Sequence, residues 1–309
     1  MGSSSRGVLK PRASLAFLLS ALGLGLVLAL TPLGPAGFSL GPEPKLRAVA
    51  TTTIVGDVVR NIGGEAIALT VLLPPGSDPH SYEPTPRDLI ALAEAKLIFI
   101  NGAGLEAHLE PFLREAKAPV ISVSEGLALR RLNGDLDPHV WFDPQNLLTW
   151  IRNIEEALSA ADPANTAYYA ANARAYELAL RGLDARILEQ VAQVPQEARK
   201  LVTDHLFLGY FADRYGFDYL GAISPGFSTL AEPSARELAE LEEAIRQSGA
   251  RAIFVGMTAN PALAERIAAD TGVKLVFLYT GSLSEPGGPA DTYLKLMEYD
   301  VSAIVGALK

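Results

Sequence analysis

Short runs rich in β-forming residues alternate along this chain with longer amphipathic segments, and this alternation constrains the fold more than any other feature. Four such runs lie in the first half of the chain and four in the second. Because strands separated by helical segments form βαβ units, the pattern predicts an α/β fold with two parallel sheets. The predicted strands are 46–51, 67–72, 97–101, 120–123, 200–203, 217–222, 252–255 and 275–278.

Helix-start signals follow several of these strands. A side chain that can accept a backbone hydrogen bond comes first, and a proline or an acidic residue follows within the first turn. Each signal predicts that a helix begins where a strand has just ended. The four signals are Thr85-Pro86-x-Asp88, Asp143-Pro144, Ser234-x-x-Glu237 and Asn260-Pro261.

A longer apolar stripe lies between the two halves of the chain. Asp162-Pro163 is typical of a helix start, Pro195 ends the pattern, and apolar side chains recur between them at steps of three and four. A helix over residues 163–194 would be about 48 Å long at 1.5 Å per residue. We therefore predict an N-terminal α/β lobe over 46–160, a connecting helix over 161–195 and a C-terminal α/β lobe over 196–309.

The N-terminal region has the order of segments that is typical of a secretory signal. Residues 1–12 carry three basic side chains and no acid, residues 13–30 are uncharged and mostly apolar, and small residues follow at 34–37. We expect a signal peptide over 1–36, cleavage after Ala36 and a linker over 37–45. The competing interpretation is an uncleaved anchor, since an 18-residue apolar run is at the lower limit for a membrane span.

The chain contains no cysteine, so disulfides, cysteine-zinc sites, iron–sulfur clusters and thiol nucleophiles are excluded. Any bound metal must be held by histidines and carboxylates. The secretory signal predicts an exported, periplasmic or extracellular protein that is soluble after signal cleavage. The absence of cysteine near the cleavage point predicts that this form is not lipid-anchored. With 35 acidic and 26 basic residues the formal net charge is −9, which argues against a nucleic-acid partner.

Three of the four histidines stand in unusual contexts. His80 and His139 each end an Asp-Pro-His triplet, and the third, His205, follows the predicted strand 200–203. Proline restricts its own backbone and that of the preceding residue, so each triplet holds its imidazole on a stiff loop. The neighbouring aspartate could also accept an imidazole N–H and orient the ring.

A single histidine in a loop is usually a surface or capping residue. His108 differs, because it lies among charges in a helical pattern, and we expect it to be a solvated or half-buried histidine. The repeated triplet favours a functional role for the other three. Ligands of open α/β sheets bind at the carboxyl ends of the strands, where these histidines are predicted. We therefore expect a metal site in the cleft between the lobes.

Seven segments carry a family resemblance: DPHSYEPTPRDL (78–89), NGAGLE (101–106), DPHVWFDPQN (137–146), ADPANTAYYAANA (161–173), LVTDHLFLGYFADRYG (201–216), AEPSARELAEL (231–241) and GPADTYLKLMEYDVSAIVGAL (288–308). With them the chain resembles the zinc/manganese-specific substrate-binding proteins of ABC transporters, also described as metal-binding adhesins. The resemblance implies two α/β lobes bridged by a backbone helix, with one divalent cation between them. It also implies delivery of that cation to a membrane permease driven by a cytoplasmic ATPase, and no enzymatic activity.

The resemblance assigns His80 and His139 as first-lobe ligands, and His205 occupies the second-lobe position where the family has His or Glu. The family commonly supplies a fourth ligand, an aspartate, and the matching position here is Gly281. Either the site has three protein ligands and a water, or another carboxylate reaches it. The nearest candidate is Glu285, followed by Asp291 and Glu232.

The ligand chemistry favours Zn²⁺ as the cargo, because three imidazoles suit zinc whereas manganese prefers more oxygen ligands. Mn²⁺ is the alternative, and residues 124–138 contain no His-rich loop of the kind that some zinc-binding members carry. Binding should weaken in acid as protons compete for imidazoles near a pKa of ~6.5.

Two other functions fit three histidines. An exported zinc hydrolase has three such ligands and an open position, but no His-Glu-x-x-His or Gly-x-Ser-x-Gly motif is present. A lobed protein that binds an organic metal chelate is the other alternative. We expect a monomeric binding protein and not an enzyme.

Overall fold

The computed structural model describes residues 45–309, so the expected signal peptide 1–36 and almost all of the linker 37–45 lie outside the described residues. Two four-stranded parallel sheets and a two-stranded hairpin form within the described range, which confirms the predicted two-sheet α/β fold. The strands are β1 (Leu46–Ala50), β2 (Ile67–Val71), β3 (Leu97–Ile100), β4 (Val120–Ser122), β5 (Arg131–Leu132), β6 (Asp135–Leu136), β7 (Lys200–Thr203), β8 (Asp218–Ala222), β9 (Ala252–Gly256) and β10 (Lys274–Leu278).

Helices cover the sheets and connect the strands, and two of them begin with the capping box that the sequence predicts. Thr85 and Asp88 exchange hydrogen bonds at one helix start, and Ser234 and Glu237 do so at another. The helices are α1 (Thr53–Gly63), α2 (Pro86–Glu94), α3 (Glu110–Glu115), α4 (Asn146–Ala161), α5 (Thr166–Val191), α6 (Gly209–Tyr215), α7 (Ala235–Ser248), α8 (Ala262–Thr271) and α9 (Tyr293–Leu308).

The two parallel sheets have the same topology. The spatial order is β2-β1-β3-β4 in the first lobe and β8-β7-β9-β10 in the second. In each lobe, the first strand therefore lies between the second and the third, so the connections leave it in opposite directions. Ligands of such sheets bind beyond the carboxyl ends of the strands at this reversal point, and His205 follows the first strand of the second lobe.

The long helix α5 joins the lobes. It packs against α1 and α4 of the first lobe and against α9 at the end of the chain. Its buried face includes Tyr169, Tyr176 and Leu183, which lie on the predicted apolar stripe. At 26 residues it is about 39 Å long, shorter than the predicted 163–194 helix.

Both ends of α5 differ from the sequence prediction for physical reasons. Residues Pro163–Asn165 form a 3₁₀ turn before the helix. At the other end, the guanidinium of Arg199 donates hydrogen bonds to the carbonyls of Val191 and Val194, at 3.1 Å each. The Val191 carbonyl also accepts the backbone N–H of Val194 at 3.0 Å, a short-range bond that tightens the turn after the helix before Pro195.

Two elements lie outside the predicted pattern. The hairpin β5–β6 turns at Asn133 and Gly134, which both have positive φ angles. Helix α9 closes the chain and packs against β10 of the second lobe and α1 of the first. In the span from Lys45 to Lys309, none of the helices combines the length and apolar character needed to cross a membrane.

Candidate metal centre

His80, His139 and His205 come together at one point between the two lobes. Each offers a ring nitrogen, and these atoms all lie within 4.8 Å of one another. The ring centroids are 5.2–5.4 Å apart, and the Nε2 atoms of His80 and His139 are separated by 3.3 Å. Such an arrangement leaves space for one cation that would contact all three imidazoles.

Two of the imidazoles are oriented by buried carboxylates. Asp137 Oδ1 accepts hydrogen bonds from both the backbone N–H and the Nδ1–H of His139, at 3.0 and 2.9 Å. Asp204 Oδ2 lies 3.0 Å from Nδ1 of His205, while its Oδ1 accepts the N–H of Gly256 at 3.1 Å. Because each carboxylate takes the Nδ1 position, the Nε2 lone pair is available for a metal.

His80 is held in a different way. Asp78 Oδ1 accepts the backbone N–H of His80 at 2.9 Å, so the first Asp-Pro-His triplet orients the loop and not the ring. His80 is half-buried, whereas His139 and His205 are buried. Among the three histidines, His80 is therefore the one with access to solvent.

Burial keeps the site receptive to a cation. It lowers the pKa of His80 to about 3, with a further contribution from His139 and His205, and it lowers the pKa of His139 well below its usual value. Neutral imidazole is the form that ligates metals. The sequence predicts proton competition near a pKa of ~6.5, and at His80 and His139 the structure moves this competition to more acidic pH.

An ion pair behind His139 was not evident in the sequence. Burial raises the pKa of Asp137 to about 7, against the opposing effect of Arg130. The Nε atom of Arg130 lies 3.5 Å from Asp137 Oδ2, and its guanidinium also pairs with Asp213 of α6. No spacing rule connects Arg130 with the triplet seven positions further on.

Aromatic rings surround the histidines. The Trp141 ring packs edge-on against His139 at 5.3 Å, and the Phe207 ring lies 5.0 Å from His205. Phe227 is 6.5 Å from His139. The indole N–H of Trp141 donates to the carbonyl of Thr280 at 2.9 Å and so links the first lobe to the β10–α9 loop. Aromatic rings thus form part of the shell around His139 and His205.

The structure does not bring Glu285 to the three histidines. The backbone carbonyl of Glu285 accepts the N–H of Gly288 at 2.9 Å, and the N–H of Ser284 donates to the backbone carbonyl of Ala290 at 3.0 Å. This tight turn leaves the Glu285 side chain exposed beside a cavity of about 440 Å³ that contains no histidine. The sequence placed Glu285 near the site only because it follows Gly281 closely in the chain.

The other alternative carboxylates and His108 also lie apart from the cluster. Asp291 pairs with Lys295 at 2.7 Å and accepts the N–H of Gly287. Glu232 and His108 are exposed. Within residues 45–309, the group of metal-ligating side chains at this point consists of the three histidines.

The chain matches known metal-binding proteins over most of its length. The family described as "Zinc-uptake complex component A periplasmic" (ZnuA) matches residues 48–307. The manganese-binding lipoprotein MntA of Halalkalibacterium halodurans is 32% identical over 268 residues, which are 85% of this chain and 88% of that protein. The iron-binding protein YfeA of Yersinia pestis is 34% identical over 269 residues, covering 84% and 85%.

Solved structures agree in fold. The periplasmic zinc-binding protein TroA of Treponema pallidum matches with a TM-score of 0.82 at 30% identity, covering 86% of this chain and 99% of that one. The manganese-bound periplasmic metal-binding protein of Candidatus Liberibacter asiaticus matches with a TM-score of 0.78 at 30% identity, covering 86% and 100%. The chain belongs to the family of periplasmic ZnuA proteins, the metal-binding, non-enzymatic substrate-binding components of ABC transporters.

Proposed function

We propose that this protein captures Zn²⁺ through the Nε2 atoms of His80, His139 and His205 and delivers it to its ABC permease. The convergence of three ring nitrogens within 4.8 Å carries the proposal. Asp137 and Asp204 support it, because each occupies an Nδ1 position and leaves the other ring nitrogen for the metal.

Nitrogen donors favour zinc over manganese as the cargo. Manganese prefers carboxylate and carbonyl oxygens, and the ligand group here contains three imidazoles and no carboxylate. Gly281 has no side chain to offer, and a Cβ at that position would meet the ring of Pro79 at 2.6 Å. We therefore propose a three-histidine site whose fourth ligand is water.

Titration of metal-free protein with Zn²⁺, in competition with a chromophoric chelator, tests the ligand assignment. Substituting His80, His139 or His205 with Ala should weaken binding by at least about tenfold, since each removes one of three donors. The matched control is His108→Ala, because His108 is exposed and lies outside the ligand group. If the triple substitution kept the wild-type zinc isotherm, the assignment would be wrong.

Manganese is the second candidate, because relatives of this chain are named for manganese and for iron. Affinity alone does not distinguish the cargo, since most sites bind Zn²⁺ more tightly than Mn²⁺. Uptake does. Cells that lack this protein should lose high-affinity zinc uptake and keep manganese uptake, and the reverse result would make manganese the cargo.

We propose that the exported form is a soluble monomer. The expectation of a form without a lipid anchor conflicts with the names of several relatives, which are lipoproteins. This chain contains no cysteine. Membrane fractionation and mass spectrometry of the protein from its native cells test the anchor, because a lipid adduct would add a defined mass. Size-exclusion chromatography with light scattering tests the monomer.

A further inference from the structure

A short segment of the second lobe covers the solvent-facing side of the metal site. Residues 226–231, here called the cover segment, follow β8 and are mostly half-buried. Four of them line a cavity of about 580 Å³ together with His80: Gly226, Phe227, Ser228 and Ala231. His80 is the histidine that solvent can reach, so the cover segment stands where a cation would enter or leave.

One hydrogen bond ties the cover segment to the first lobe. Thr229 Oγ1 donates to Asp78 Oδ2 at 2.6 Å, and the two residues are 151 positions apart in the chain. The other oxygen of the same carboxylate accepts the backbone N–H of His80 at 2.9 Å. Across residues 45–309, no other hydrogen bond joins the cover segment to the first lobe.

The Asp78 carboxylate therefore connects the closure of the cleft to the position of a metal ligand. Asp78 and Thr229 also line a second cavity, of about 500 Å³, together with Asp204 and with Leu230 of the cover segment. The cover segment thus contributes lining residues to both cavities. Loss of the link would free the cover segment and the His80 loop together.

We propose that Thr229 is a positioning residue that controls the release of the bound cation through Asp78. The proposal rests on the three-histidine site proposed above. With the hydrogen bond in place, the cover segment holds the cleft closed and Asp78 fixes the backbone of His80. A hydrogen bond to a charged group is strong enough to change an opening rate about tenfold.

Stopped-flow release of Zn²⁺ into excess chromophoric chelator tests the proposal on the full protein. Thr229→Val keeps the shape of the side chain and removes the hydroxyl, and it should increase the zinc dissociation rate about tenfold. Thr229→Ser keeps the hydroxyl and should release zinc at close to the wild-type rate. The melting temperature of each metal-free variant checks that the fold is retained.

Ser81→Ala is the matched control. The Ser81 hydroxyl donates to the same oxygen of Asp78 at 3.3 Å, but both residues belong to the first lobe. It should leave the rate within about twofold of wild type. If Thr229→Val released zinc at the wild-type rate, or if Ser81→Ala accelerated release as much, the proposal would be overturned.

The zinc isotherms keep this outcome separate from failure of the binding site. Wild-type zinc binding that depends on the three histidines, combined with unchanged release from Thr229→Val, overturns only the role of Thr229. A wild-type protein that binds no Zn²⁺ overturns both proposals. Thr229→Ala provides a second variant without the hydroxyl if Thr229→Val does not fold.

Discussion

The ring of Pro79 occupies the space into which a side chain at Gly281 would extend. A Cβ built on Gly281 would lie 2.6 Å from both Cγ and Cδ of Pro79. Gly281 does not have a positive φ angle, so its backbone would accept other residues and the obstacle is the proline ring. Since Pro79 directly precedes His80, any side chain at position 281 acts on a proposed metal ligand.

We predict that Gly281→Ala and Gly281→Asp both weaken zinc binding. Overpacking of this kind costs about 1–3 kcal/mol. Opening of the cleft would relieve the contact with Pro79. Because zinc binding needs His80 close to His205, the opened form would bind zinc less tightly. A loss of affinity of about tenfold corresponds to about 1.4 kcal/mol of that strain. Competition titration with a chelator measures this loss of zinc affinity.

Gly306→Ala is the control for glycine replacement as such. Gly306 lies in α9, and within residues 45–309 a Cβ there would meet no atom within 4 Å apart from its chain neighbours and the adjacent backbone of its own helix, so alanine should leave zinc affinity unchanged. If Gly281→Asp instead bound zinc more tightly than wild type, the added carboxylate would have become a ligand. That result would contradict the contact with Pro79 as the deciding feature.

The carboxylate of Asp204 orients the imidazole of His205, so its replacement should weaken zinc binding. Asp204→Asn leaves one oxygen for two donors, which are Nδ1–H of His205 and N–H of Gly256. Loss of such a partner typically costs about 10–100-fold in metal affinity, and we expect a loss in this range for zinc. The same competition titration with a chelator measures it.

Asp270→Asn is the matched control, since Asp270 is exposed in α8 and pairs with Arg266 at 3.7 Å. It should bind zinc as the wild type does. Equal zinc affinity of the Asp204 and Asp270 variants would show that the orientation of His205 does not depend on its carboxylate.

The regular elements could be predicted because they depend on local pattern. The predicted strand ends lie within one residue of the observed ends, and Lys200–Thr203 agrees at both ends. Two elements were missed for different reasons. The Asn133-Gly134 pair is a typical type I′ turn signal and could have revealed the β5–β6 hairpin. Helix α9 lies within the segment 288–308, which carries the family resemblance but none of the predicted helix-start signals.

The site was only partly predictable. The repeated Asp-Pro-His triplet identified His80 and His139, because the proline restricts the loop locally. The contacts between Gly281 and Pro79 and between Thr229 and Asp78 join distant parts of the chain, and no spacing rule connects them. Glu285 follows Gly281 closely in the chain, but its side chain is exposed beside a cavity that contains no histidine.

Trp141 offers a test of the link between the lobes. Trp141→Phe removes the N–H that donates to the buried carbonyl of Thr280, and the unpaired carbonyl should lower the free energy of unfolding by about 1–3 kcal/mol. Urea denaturation of the metal-free protein measures this loss. Because Thr280 precedes Gly281, zinc affinity should fall as well.

Trp150→Phe is the comparison. The Trp150 N–H donates to Ser124 Oγ at 3.0 Å, entirely within the first lobe. Its loss should reduce stability but leave zinc affinity at the wild-type value. Two variants with the same change in zinc affinity would mean that the link between Trp141 and Thr280 has no bearing on the site.

The lowered pKa of His80 makes the stability of the metal-free fold depend on pH. The pKa of His80 is about 3 in the folded protein, because of burial and of the neighbouring imidazoles, and about 6.5 in the unfolded chain. The unfolded state therefore binds more protons between these values, so this group destabilises the metal-free fold as the pH falls from 6.5 towards 3. At pH 5 the contribution of His80 is about 2 kcal/mol.

The contribution of Asp137 to stability changes with pH in the opposite direction, over an overlapping pH range. Its folded pKa of about 7 exceeds the unfolded value, so its contribution to stability is present at low pH and is lost as the pH rises towards 7.

Comparison of variants separates the contributions of His80 and Asp137. Between pH 7 and pH 5, metal-free His80→Ala should lose less stability than the wild type, by up to about 2 kcal/mol. Urea denaturation at the two pH values measures the difference between the two proteins. An equal loss in wild type and His80→Ala would mean that His80 is not desolvated in the folded protein.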